Sequence, residues 1–253
     1  MDSLTVEFLY THFHYSEEAP DREDGWLPGV AGTYVHQGPN RLYLRFRGEY
    51  SSGSVTYSED VPAKTSQGSI IRPFSDFSDA TIWSVEANVG WTWTVPQAPS
   101  LWVTPFLGIG YRQWERTTAP NLQLGNEELY RWIFLTGGLR LDYAFALRFR
   151  FAPEAAGKIP VIVNEMQHSQ TSSIQGQTFD LHSQPGFIVR LPLFYDWTDR
   201  WSFMTSFVWE QIYIGGSKRN FYHVPSTGAL ADAYEPNSRT ETLGMTFGVQ
   251  YRF

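Results

Sequence analysis

Apolar and polar residues alternate along much of the chain, and the alternation is clearest at its C-terminal end. From Leu243 to Phe253 every odd position is apolar, whereas every even position from Gly244 to Arg252 is glycine or polar. A period of two predicts a β-strand, because successive side chains of a strand point to opposite faces. The length of this segment is typical of a tilted strand that crosses a membrane.

The same alternation recurs upstream and predicts about ten strands. Pro153, Gly157 and Pro160 interrupt the seventh, and because proline removes a hydrogen-bond donor we expect this strand to be bulged or broken around 153–160. The predicted strands are 3–16, 27–37, 40–58, 79–95, 100–116, 128–143, 145–164, 180–197, 200–214 and 239–253.

The connections between these strands are of two kinds, and the two kinds alternate along the chain. Short turns are expected at 36–40, 96–99, 143–145 and 196–200, and long polar loops near 17–28, 59–78, 116–127, 165–179 and 215–238. Transmembrane β-barrels have an even strand number, with short turns on one side and longer loops on the other. We therefore predict a single domain over 1–253, an all-β, closed, antiparallel up-and-down transmembrane barrel. A soluble β-sandwich or a lipocalin-like barrel is the alternative.

Composition agrees with strands that have one apolar and one polar face. Aromatic residues make up 17% and charged residues 18% of the chain, yet the mean hydropathy is only −0.32. The absence of cysteine excludes disulfides and thiolate metal sites. A net charge of −7 argues against a nucleic-acid partner. No cofactor is expected.

Tyr251 and the terminal Phe253, with apolar residues at alternating positions before them, resemble the last strand of bacterial outer-membrane barrels. This resemblance implies location in a bacterial outer membrane with periplasmic termini, contact with outer-membrane lipid, and recognition of Tyr251 and Phe253 by the barrel-insertion machinery. Tyr and Trp prefer the headgroup layer, and those near the predicted short turns are expected at the membrane interface. They are Trp91, Trp93, Trp102, Tyr143, Trp197 and Trp201.

If the apolar positions face lipid, the alternating positions face the interior of the barrel. This set is rich in arginine, whose planar fork suits bidentate ion pairs in partly dry surroundings. We expect a largely occluded, salt-bridged interior, and we expect Arg148→Ala or Glu86→Ala to lower thermal stability. The inward charged residues are predicted to be Glu7, Arg45, Arg47, Glu49, Glu86, Arg112, Arg140, Asp142, Arg148, Arg150, Glu154, Arg190, Glu210 and Arg252.

Two groups of residues are candidates for chemistry. Asp76, Asp79, Asp180 and His182 flank the second and fourth long loops, and with ten strands they resemble the omptins, outer-membrane proteases with acidic and Asp–His pairs at the rim. That resemblance implies that these four residues orient and deprotonate a water. His12 and His14 share a strand face and could hold a metal, but an interfacial histidine pair is the preferred interpretation, and no metal is expected.

The function expected from the sequence is structural, or the binding of a surface ligand through the long external loops. Exposed loops on a rigid scaffold are common binding sites, and small opacity-like surface barrels resemble this arrangement. A narrow pore for small solutes and an omptin-like surface protease are the alternatives.

Overall fold

A computed structural model describes residues 2–18, 21–38, 40–65, 68–118, 126–167, 178–223 and 230–253. Within these residues the chain is almost entirely β-strand, and no helix is long and apolar enough to span a membrane. The strands are β1 (Asp2–Glu17), β2 (Arg22–Gln37), β3 (Leu42–Thr65), β4 (Gly68–Trp91), β5 (Trp93–Val95), β6 (Ala98–Thr118), β7 (Asn126–Ala146), β8 (Phe149–Phe151), β9 (Glu154–Gln167), β10 (Thr178–Ser183), β11 (Gly186–Asp196), β12 (Trp201–Ser217), β13 (Asn220–His223), β14 (Leu230–Ala233) and β15 (Ser238–Arg252).

The main sheet closes on itself through antiparallel pairing of the first and last strands. Strand β1 pairs with β15 from Ser3↔Arg252 to Glu17↔Ser238, and each other neighbour in the ring is also antiparallel. Thirteen strand segments form this ring. We use the word stave for one complete wall strand of the barrel, whether or not it is interrupted. The number of segments exceeds the predicted ten because three staves are interrupted, into β4 and β5, β8 and β9, and β10 and β11. Each of these pairs of segments continues one stave, so the barrel has ten staves as the alternation predicted.

The seventh stave has the irregularity that its prolines predict. A gap at residues 152–153 separates β8 from β9, and the register between β7 and β9 shifts near Pro160. This bulge reverses which residues face inward. Glu154, Ala156 and Lys158 are buried before it, and Val163 and Glu165 are buried after it.

The two ends of the barrel differ in the length of their connections. Both chain termini and the four short connections lie at one end, here called the turn end; the opposite end is called the extended end. Most of the predicted long loops are wrong as loops, because strands occupy much of them. Strands β3 and β4 stay paired from Leu42↔Trp91 to Thr65↔Gly68, and β2 already begins at Arg22. The parts of the predicted loops at 119–125, 168–177 and 224–229 lie outside the described residues.

The strands continue into these polar stretches because their apolar face changes side. Near the turn end the apolar side chains point out, as with Val6 and Phe8 of β1, which are 59% and 51% exposed. Toward the extended end they point in, as with Phe13 and Tyr15, which are fully buried. A barrel wall that meets hydrocarbon over one part and water over the other requires this reversal. The buried residues of the extended end form an apolar core around Trp114 and Tyr130.

Close packing between staves requires glycine at particular positions. A Cβ on Gly138 would lie 2.4 Å from the backbone oxygen of Ala155 and 2.8 Å from the Phe106 ring, whereas a Cβ on Gly32 would meet nothing within 4 Å. We expect Gly138→Ala to destabilise the barrel by about 1–3 kcal/mol through overpacking and Gly32→Ala to leave its stability unchanged. Thermal unfolding of both variants in detergent tests this difference, and equal melting temperatures would contradict it.

Candidate functional site

Ion pairs fill the interior of the barrel in the part whose outer wall is apolar. Arg45 donates to Glu86 at 2.9 Å and also to Glu154, which in turn accepts from Arg190 at 3.0 Å. All four charged groups are nearly inaccessible to solvent. Because an unpaired buried charge is very unfavourable, these pairs hold four separate staves in one arrangement.

A second part of this network is centred on Glu210. Its carboxylate accepts from Arg112 at 2.5 Å and from Lys158 at 2.6 Å, and Lys158 also lies 3.7 Å from Glu86. The sequence prediction contained no lysine, although Lys158 shares the parity of Glu154 on the seventh stave. Arg47 pairs with Glu7 at 2.5 Å on the other side of the interior.

The network extends in both directions along the interior. Arg47 also contacts Glu49 at 3.2 Å, farther from the turn end on β3, and near the opening of the turn end Arg140 makes two bonds to Asp142, of 2.8 and 2.9 Å. Two further arginines form ion pairs at this end. Arg150 lies 3.4 Å from Asp142, and Arg252 lies 2.5 Å from Asp196.

Two residues do not lie where the sequence placed them. Arg148 is exposed in the tight turn between β7 and β8, and its guanidinium contacts only the Tyr195 hydroxyl, at 3.4 Å, among the described residues. The parity argument failed because residues of a turn do not alternate between faces. Trp102 pairs with the inward-facing Asp142 and lines the interior, so it is not at the lipid interface.

The other interfacial aromatics point outward. Trp91, Trp93, Tyr143, Trp197 and Trp201 are between 43% and 59% exposed. At the C-terminus the ring of Phe253 lies 5.2 Å from that of Tyr251, which in turn lies 4.7 Å from Trp201.

A second aromatic belt, which the sequence reasoning missed, crosses the outer face of β1, β2, β4 and β6 where the outer wall changes from apolar to polar. Tyr10 stacks on Trp26 at 4.6 Å, and Trp83 lies 5.0 Å from Tyr111. These residues lie in mid-strand, so searching beside turns could not find them. Two belts on opposite sides of an apolar wall are typical of a transmembrane barrel.

An apolar layer lies between the ion-pair network and the extended end. Along β7 the inward side chains change from Asp142 and Arg140 to Phe134 and Trp132, and then to Tyr130. The ammonium of Lys158 lies 4.7 Å from the centre of the Phe134 ring, where the charged and apolar parts meet. The cavities found in the network are small, about 60 and 50 Å³.

At the extended end, beyond the apolar outer wall, one arginine is surrounded by carboxylates. The Arg116 guanidinium donates to Glu128, lies 3.5 Å from Glu17 and 3.6 Å from Glu23, and covers the Tyr15 ring at 4.7 Å. Neither oxygen of Glu23 has a hydrogen-bond partner among the described residues. Carboxylates therefore outnumber the cation here. In the ion-pair network inside the apolar-walled part of the barrel, positive and negative groups are nearly equal in number.

Two carboxyl groups of this cluster interact electrostatically. Glu235 accepts a 2.7 Å hydrogen bond from Tyr130, and its negative charge, after the larger effect of burial, raises the pKa of Glu165. Neither oxygen of Glu165 has a hydrogen-bond partner among the described residues. Burial raises the pKa of Glu235 to about 7 and that of Glu17 to about 8, and it also raises the pKa of Glu165.

Glu235 belongs to the segment before β15, which continues the barrel wall between β12 and the end of β1. The backbone of this residue bonds twice to Ser217, at 2.8 Å each, and Asn237 bonds to both Gly216 and Glu18. Ala233 packs against the apolar core of the extended end. The segment therefore extends the wall beyond β15, with the buried Glu235 side chain on its inner face.

The four residues that suggested a protease do not face one cleft. Asp76 and Asp79 are three apart on β4, an odd spacing that places them on opposite faces; Asp76 shares the inward face of the buried Ser78, whereas Asp79 is exposed. Asp180 and His182 flank the buried Leu181 and point outward. The His182 ring contacts the backbone oxygen of Gly216.

The histidine pair of the first strand lies on the outer surface beside a carboxylate. His12 and His14 contact the two oxygens of Asp24 at 3.1 and 3.2 Å. The described residues contain no group of three or more potential ligands that could hold a metal ion.

Comparison with known proteins relates the chain to others by its fold. No family model and no curated protein matches the sequence. The outer membrane protease OmpT from Escherichia coli matches with a TM-score of 0.69 at 11% identity, over 100% of this chain and 96% of that chain. The translocator domain of the autotransporter NalP from Neisseria meningitidis matches with a TM-score of 0.46 at 9% identity, over 99% and 88%. The chain thus has the fold of the bacterial outer-membrane β-barrels.

The ion-pair network generates a prediction with an internal control. Glu86→Ala leaves Arg45 and Lys158 with fewer partners, and we expect it to destabilise the barrel by about 3–5 kcal/mol, the usual cost of breaking a buried pair. Arg148→Ala, contrary to the expectation from sequence, is expected to have no effect. Thermal unfolding in detergent measures both, and a stable Glu86→Ala variant would contradict the network's role.

The carboxyl cluster predicts that stability falls as pH rises. A carboxyl whose pKa is raised in the fold binds more protons when folded than when unfolded, so its contribution is most favourable at low pH. That contribution decreases as the pH rises from the usual pKa near 4.5 to the raised pKa, about 7 for Glu235 and about 8 for Glu17. We expect the melting temperature to fall over this range, and Glu235→Gln to reduce the slope. The exposed Glu115→Gln is the control; equal slopes in both variants would refute the assignment.

Proposed function

We propose that this protein is a closed barrel of a bacterial outer membrane, whose role is structural or the binding of a ligand at its extended end. The observation that carries this proposal is the filled interior: an ion-pair network and an apolar layer occupy successive levels of the same lumen. Barrels of about eight strands are generally filled by side chains, and open aqueous channels appear at about sixteen. A barrel of ten staves is closer in size to the barrels that side chains fill.

In the orientation we propose, the turn end and both termini face the periplasm. Short periplasmic turns and longer external connections are usual for such barrels. Tyr251 and Phe253 then lie at the inner interface, where the insertion machinery recognises them, and outer-membrane lipid covers the apolar wall.

The extended end offers aromatic side chains to a ligand outside the cell. Phe77 is 59%, Phe221 69% and Tyr234 52% exposed, although they lie beyond the lipid-facing wall. Arg219 covers the Tyr234 ring at 4.9 Å and pairs with Asp232, which fixes part of this surface. Exposed aromatic and arginine side chains are common in binding surfaces. We do not propose peptide cleavage, because Asp79, Asp180 and His182 point away from the interior.

Electrical recording distinguishes this proposal from a narrow pore. Purified protein inserted in planar lipid bilayers should give no conductance steps above noise, because ion pairs and the apolar layer around Phe134 and Trp132 occupy the lumen. An open porin recorded in the same bilayers is the positive control, and antibody detection of the protein in the bilayer confirms insertion. Regular steps from the wild-type protein would refute the closed lumen and favour passage of small solutes.

A further inference from the structure

A cavity of about 390 Å³ opens at the turn end of the barrel. Small-molecule sites commonly have volumes of about 300–1,000 Å³, with a mostly apolar lining and a few polar groups that fix the ligand. The wall here combines the flat side chains of Tyr43 and Trp102 with the guanidinium groups of Arg140, Arg150 and Arg252. This cavity, here called the chamber, adjoins the cavity of about 60 Å³ in the ion-pair network, with which it shares Val35, Arg140 and Gln250.

Arginines outnumber carboxylates in the wall of this chamber, which contains Asp2 and Asp142. Arg140 and Arg150 share the single carboxylate of Asp142, and Arg140 occupies it with two bonds of 2.8 and 2.9 Å. Arg150 is left with a 3.4 Å contact to Asp142, a 2.8 Å bond to the neutral Gln250 and the face of the Phe194 ring. Its positive charge therefore has no close anionic partner of its own.

Two buried donors of the chamber also lack partners. The Tyr43 hydroxyl and the Arg252 Nε make no hydrogen bond to any described residue, although Tyr43 is only 1% exposed. A buried donor without an acceptor is energetically unfavourable. An acceptor that carries negative charge would satisfy the hydroxyl and compensate Arg150 together.

We propose that this chamber binds a small aromatic carboxylate. The carboxylate supplies the anion that Arg150 lacks and the acceptor that Tyr43 lacks, and a flat ring fits beside Trp102. Binding does not depend on the extended end. The site is separate from the surface-binding role proposed above, so either can fail without the other.

Calorimetric titration of the detergent-solubilised protein with benzoate tests this inference. We expect saturable binding of one benzoate per chain, weakened about tenfold or more in Arg150→Gln, since a hydrogen bond to a charged group contributes about 1.5–3 kcal/mol. Tyr43→Phe removes only the unpartnered hydroxyl, and it should also weaken binding while the barrel remains folded. Arg219→Gln, an exposed arginine at the extended end, is the matched control and should bind as the wild type does.

Two further probes separate the parts of the ligand. Benzyl alcohol has the ring without the charge, and acetate has the charge without the ring; both should bind at least about tenfold more weakly than benzoate. The proposal is overturned if benzoate gives no saturable heat, if neither Arg150→Gln nor Tyr43→Phe weakens it, or if benzyl alcohol or acetate binds as tightly.

Discussion

The medium outside the barrel changes along each stave, and the rest of the structure depends on this change. Next to hydrocarbon, apolar side chains must point out, so polar and charged ones are directed into a narrow interior. Next to water the direction reverses. In β1, Phe8 faces out and Phe13 faces in, although both belong to one uninterrupted strand. The interior is therefore ionic over one part of its length and apolar over the other.

The charges inside the lipid-facing part of the barrel determine how the staves are arranged around its interior. A charge in a narrow interior loses water and needs a partner, and several of these partners come from another stave. Arg45 thus joins β3 to β4 and to β9. Such pairs add little net stability compared with apolar packing, but they specify one arrangement, because any shift of a stave would separate charges.

Sequence alternation predicted the staves and most of the network, since a period of two assigns a face once one position is known. The prediction failed where side chains do not alternate regularly between the two faces of a strand. Arg148 lies in a turn, Glu165 follows a bulge that inverts the parity, and Asp79 lies on the face opposite Asp76. The cluster around Arg116 was missed because the apolar face was taken to point outward along whole strands. Recognising the reversal in β1, where His12 and His14 take the outward positions, would have revealed it.

The two ends of the interior have opposite chemistry, and this limits where a function can lie. The turn end has arginines in excess of carboxylates, whereas the extended end has five buried glutamates around Arg116, namely Glu17, Glu23, Glu128, Glu165 and Glu235. Anions are attracted at one end and repelled at the other, and the apolar layer around Phe134 separates them. Because each end presents a different excess charge, a charged ligand that suits one end is disfavoured at the other.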